Sequence, residues 1–159
     1  MKKILLLAAM IMSFNTAFSQ TADKIFEKIS KDNKEVECIE LNKDMMAMLA
    51  AQDKDKNSEF GNLFKKIDNM KLMDISDEDI IGEMRLMLPA LEKNGYKLLI
   101  NESAEGNTVN VYSLPGEKNI KELFLIAQEG SKSCKLVLFK GNIDPKNIEK
   151  LASFGSDDD

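Results

Sequence analysis

Midway along the chain the hydrophobic period changes from 3.6 to 2, and it holds across three short turns. Tyr96, Leu98 and Ile100 alternate with other residues, the chain turns at Glu105-Gly106-Asn107, and the alternation resumes at Val109 and Val111. Leu114-Pro115-Gly116-Glu117 forms a second turn and Glu129-Gly130-Ser131 a third, bounding the apolar runs 120–127 and 134–139. Period 2 belongs to strands, whose successive side chains point to opposite faces, while Gly, Pro, Asn and Asp supply turn conformations. Four strands joined this closely predict an antiparallel meander. A chain that carries one must fold around a sheet.

The first half follows helical spacing. Thr21 can cap a helix whose Ile25, Phe26 and Ile29 share one face, and Asn42 can open a second through Met45, Met46, Met48 and Leu49. Phe60, Leu63, Phe64 and Ile67 make another helical face. Two short apolar runs, 36–41 and 70–75, read as further strands. Ser76 is expected to cap the next helix with Asp79 as its reciprocal partner. That helix carries Ile80, Ile81, Met84, Met87, Leu88 and Leu91, and Pro89 should kink or split it before Asn94-Gly95 ends it. At the C-terminal end Asp144 is a cap, Pro145 takes the first helical position, and Ile143 can staple onto Ile148 with Leu151 continuing the face. Helices early and strands late predict the α+β class: one mostly antiparallel sheet of five or six strands, with helices packed on one face.

The start of the chain has a different purpose. Lys2 and Lys3 precede the apolar run 4–12, and Ala17 and Ser19 place small residues at −3 and −1 of a cleavage point before Gln20. These are the three parts of a secretory signal. The expected organisation is a signal peptide at 1–19, one α+β domain at 20–154 and a frayed acidic tail at 155–159. No other run approaches the roughly 18 apolar residues a membrane-spanning helix needs. The expected product is a soluble, exported protein, periplasmic or secreted.

Loss of residues 1–19 removes two lysines and no acid, leaving 20 Lys+Arg against 27 Asp+Glu, a net charge of −7. Nucleic acid, whose affinity rests on neutralised phosphates, is therefore not an expected partner. The sequence contains no His. Imidazole relays and imidazole metal sites are thereby excluded.

Several local phrases carry a family likeness. The segments Val36-Glu37-Cys38-Ile39-Glu40-Leu41-Asn42-Lys43-Asp44-Met45-Met46, Leu91-Glu92-Lys93-Asn94-Gly95-Tyr96, Glu122-Leu123-Phe124-Leu125-Ile126 and Gly141-Asn142-Ile143-Asp144 resemble a family of small exported bacterial proteins known as domain of unknown function 4252. The resemblance runs from about Ile25 to Leu151. It implies no established activity, cofactor or catalytic residue. Many members resemble lipoproteins, and this chain departs from them in having no Cys after the cleavage point to accept a lipid.

Candidate chemistry is sparse. Asp53-Lys54-Asp55-Lys56-Asn57 imitates the opening of a calcium loop, but Ser58 stands where Gly is needed and Phe64 where a bidentate Glu should close the site. Met45, Met46 and Met48, Met70 and Met73, and Met84 and Met87 offer soft thioethers suited to Cu(I), and equally suit an irregular core. Cys38 and Cys134 are a candidate disulfide, and closing so long a segment would stabilise by about 4–5 kcal/mol on the chain-entropy model. Ser-x-x-Lys, Gly-x-Ser-x-Gly and phosphate-cradling Gly loops are absent. Paired carboxylates remain open as a hydrolytic device, since 27 acids leave many pairs. The expected function is that of a non-enzymatic exported domain that binds a protein partner in the cell envelope. No catalytic, cofactor or metal residue is assigned. A metal or small-molecule carrier using the methionines, and a carboxylate hydrolase, are the alternatives.

Overall fold

Thr21 opens the first helix as its spacing requires, its hydroxyl accepting the Lys24 N–H at 3.3 Å. The computed structural model describes residues 21–52 and 59–155. The expected leader, the Asp53–Asn57 segment and residues 156–159 lie outside the described residues. Helix α1 (Ala22–Asp32) buries Ala22, Ile25, Phe26 and Ile29. Strand β1 (Cys38–Asn42) follows, and the Asn42 side chain accepts the Met45 N–H at 3.0 Å to start α2 (Lys43–Gln52). A short α3 (Glu59–Phe64) leads into β2 (Ile67–Ile75).

Asp77, not Ser76, caps α4 (Glu78–Met87), accepting from the N–H groups of Asp79 at 2.8 Å and Ile80 at 3.3 Å. One carboxylate oxygen satisfies two orphan donors and adds negative charge at the positive helix end, an advantage a serine hydroxyl lacks. Pro89 splits the helix at Leu88, as expected, and α5 (Pro89–Lys93) starts on the proline itself. Gly95, at φ 91°, then reverses the chain.

The meander forms as read: β3 (Lys97–Ala104), β4 (Asn107–Pro115), β5 (Ile120–Glu129) and β6 (Ser133–Ile143). Glu105 and Gly106 both have positive φ, 53° and 85°, the mark of a two-residue hairpin turn that matches strand twist. Asp144 caps a 3-10 turn over Pro145–Asn147, and α6 (Ile148–Gly155) continues from it. The six strands are antiparallel in the order β1-β2-β6-β5-β4-β3. The α+β class and the strand number stand.

One detail of the expectation is corrected. Helices cover both faces of the sheet, not one. Cys134, Leu136 and Leu138 of β6 pack with Phe124 and Ile126 of β5 under α1, α4 and α5. Val137 and Phe139 pack with Leu123 and Leu125 on the opposite face, under Met46 of α2, Leu63 of α3 and Leu151 of α6. The physical reason lies in β5 and β6, whose central runs are apolar at every position and so must be shielded from water on both sides.

Candidate functional site

Ionic side chains gather at one place inside this frame. Asp23, in the first turn of α1, faces Lys71 of β2 and Lys140 of β6. Lys71 Nζ lies 2.8 Å from Asp23 Oδ1, and Lys140 hydrogen-bonds the other carboxylate oxygen. Glu122 is the cross-strand neighbour of Lys140 and accepts a hydrogen bond from the Tyr96 hydroxyl at 3.0 Å. The same hydroxyl accepts the Ala22 N–H at 3.2 Å, tying the start of α1 to the sheet. At the margin, Asn69 donates to Glu40 at 2.9 Å.

These groups perturb one another in opposite directions. Burial pushes the Asp23 carboxyl up, but the hydrogen bonds and charges of Lys140 and Lys71 outweigh it and hold the group below its ordinary value. Burial also opposes charge on Lys71, and there Asp23 wins, raising it. For Glu122 burial prevails over the Tyr96 hydrogen bond and the Lys140 charge, so this carboxyl is pushed up. Tyr96 is raised as well, chiefly by its own burial. Two carboxyls driven apart in this way are the pattern of an acid–base pair. Here, however, lysines face both oxygens of Asp23, and Tyr96 donates to Glu122 Oε2 while the buried Glu122 Oε1 has no hydrogen-bond partner. The cluster works as a latch.

A cleft of about 600 Å³ lies elsewhere, lined by residues 115–121 together with Gly141 and Asn142. Among the described residues its only acid is Glu117, so those residues do not bring two carboxylates together there. The Asn119 side chain donates to that of Asn142 at 2.9 Å across its floor.

The candidate disulfide is not formed: Cys38 is exposed, Cys134 is buried, and both thiols are free. Cys38 pairs with Met73 of β2, while Cys134 pairs with Ile75 of the same strand from its other side. With β2 between them the two residues are about 10 Å apart in the pairing direction alone, and a disulfide needs Cα atoms within about 7 Å. The sequence could not have shown the intervening strand.

The methionines are divided by the sheet. Met46 and Met70 belong to one buried cluster, and Met73, Met84 and Met87 to the other. Met45 and Met48 are exposed on α2. Among the described residues no three His, Cys, Asp or Glu side chains group to hold a metal ion.

The largest departure from burial logic is α2 itself. Residues 45–51 are apolar without a break, yet within the helix only Met46 is buried. Met45, Met48 and Leu49 are exposed, Met48 to 64%, and Ile39 on the adjoining edge strand β1 is 52% exposed. An all-apolar helix ordinarily sits inside a protein. Asp44, in the first turn of α2, is exposed as well.

A model of the domain of unknown function DUF4252 matches residues 10–151. The chain belongs to the DUF4252 family. The match takes in all six strands of this DUF4252 domain and every helix as far as Leu151. No curated protein and no solved structure matches it. No helix among the described residues is long and apolar enough to cross a membrane.

The ionic latch of the DUF4252 domain escaped sequence reading because its members come from α1, β2, β5, β6 and the residue before β3. One signal was visible. Lys71 and Lys140 interrupt apolar strands at positions that share a face with Met73 and Leu138, and an inward lysine implies a buried acid partner.

Proposed function

We propose that this DUF4252 domain is an exported, non-enzymatic binding module of the cell envelope that docks a protein through the surface formed by β1 and α2. The single observation behind this reading is the exposed apolar side of α2, Met45, Met48 and Leu49 beside Ile39. Covering each of these half-exposed side chains contributes on the order of 1 kcal/mol. Methionine adapts its shape to a partner more readily than branched residues do. The exposed Asp44 of α2 and the negative net charge favour a partner whose contact surface is apolar and carries basic groups. Export rests on the leader-like start of the sequence.

The test is site-specific photo-crosslinking in cells that produce the full chain. A photo-reactive residue at Met48 should give one discrete adduct, which a basic substitution at Leu49 removes. The same probe at Lys28, on the exposed side of α1, should give none. Identical adduct patterns from both positions would refute docking through α2.

A further inference from the structure

At the far side of the sheet from that surface, β3 is an edge strand that among the described residues pairs only with β4. Seven of its eight residues are exposed, Leu98 to 37% and Leu99 to 44%. We propose that this edge pairs with the same edge of a second copy, joining two six-stranded sheets across a two-fold axis between Leu99 and Ile100. The proposal is independent of docking through α2, which lies at the opposite edge.

The register of β3 carries the inference. An antiparallel self-pairing about that axis sets Lys97 opposite Glu102 of the second copy, Leu98 opposite Asn101, and Leu99 opposite Ile100. Every pair occurs twice, so the contact holds two ion pairs. Cross-strand partners must also share a face, and residues five apart in a regular strand do not. Here they do, because Leu99 is an extra residue: Leu98 pairs with Tyr112 and Ile100 with Val111. As a result Lys97 lies opposite Ser113 and Glu102 opposite Val109, four apart on β4 and therefore on one face. Leu98 and Asn101 lie opposite Tyr112 and Asn110, two apart, and share the other face.

Neighbouring registers lose this match. A slip of one residue sets Lys97 opposite Asn101 or Ser103, and a slip of two sets it opposite Ile100 or Ala104. A bulge and a lysine on an edge strand ordinarily deter pairing with other chains. In this strand the bulge aligns that lysine with an acid, and the second copy supplies the acid. The apolar pair at the axis extends the cluster in which Ile100 already packs.

Sedimentation equilibrium of the protein purified from cells producing the full chain decides the matter. The expected species is a dimer in reversible exchange with monomer at concentrations up to about 100 µM, the range of a small edge contact. Glu102→Lys, which sets like charges opposite each other twice, should weaken the dimer by about tenfold or more. Lys97→Glu combined with Glu102→Lys exchanges the charges and should restore the wild-type constant. Both sites are exposed, and thermal melting should confirm that each variant folds. Met48→Lys should leave the dimer intact, which separates this surface from the one on α2. A protein that stays monomeric throughout overturns the proposal and leaves the edge to a strand from another chain. A dimer indifferent to all the charge changes also overturns it, since the contact would then lie elsewhere.

Discussion

Lys71 Nζ sits 2.8 Å from Asp23 Oδ1, bridging β2 to the first turn of α1, and Lys140 holds the same carboxylate from β6. Removing the acid leaves two half-buried lysines facing each other. Asp23→Asn should therefore destabilise the fold by about 1–3 kcal/mol, less than for a fully buried pair because water still reaches these groups. The pH dependence follows from the depressed carboxyl. A group whose folded value lies below its unfolded one stabilises above the ordinary carboxylate range, and loses that contribution as pH falls through the folded value. Denaturant melts at neutral and acidic pH should show the variant losing less stability on acidification than the wild type.

Glu122 predicts the opposite sign. Its carboxyl is raised by burial, so the charged form costs stability near neutrality, and protonation relieves that cost as pH falls through the raised value. Glu122→Gln keeps an oxygen to accept the Tyr96 hydroxyl and removes the charge. It should melt above the wild type at pH 7, with the difference closing toward pH 4. A variant that melts lower at both values would contradict this account.

Gly141 is a matter of space. A Cβ there would stand 2.3 Å from the Lys66 carbonyl oxygen and 3.0 Å from the Ile67 Cα, both backbone atoms that cannot swing aside. Gly141→Ala should cost about 1–3 kcal/mol through overpacking. The measure is the shift of the chemical denaturation midpoint at unchanged slope.

The two thiols should behave unlike each other. Burial pushes Cys134 up to about 12 and shields it inside the sheet, while Cys38 is exposed and raised only in part. A thiol reagent should label Cys38 promptly in the native protein and Cys134 only on unfolding. Labelling of neither thiol before reduction would restore the disulfide.

Much of this fold was legible because its signals are local. The meander followed from period 2 and three turns, α1 from Thr21 and its apolar face, and the break at Leu88 from Pro89. The cover on both faces was also written in the chain. Leu123-Phe124-Leu125-Ile126 and Leu136-Val137-Leu138-Phe139 leave no polar face for water, and they outweigh any count of helices. What stayed hidden depended on strand order. Cys38 and Cys134 both lie in strands, as expected, but the insertion of β2 between β1 and β6 separates them. The same arrangement assembles Asp23, Lys71, Lys140 and Glu122 from residues with no common motif. The exposed side of α2 was missed for the opposite reason, since an apolar run reads as core wherever it occurs.

The pairing of β2 with β6, which joins Ile75 to Cys134 and Ile67 to Gly141, also governs when the molecule can come into being. The N-terminal helices and the β1–β2 pair have no inner wall to lean on until the last strand has been synthesised. Closing so long a loop is entropically slow and is rewarded only late. In this topology the strands that complete both cores, β5 and β6, lie in the final quarter of the chain, so the rest must wait for them.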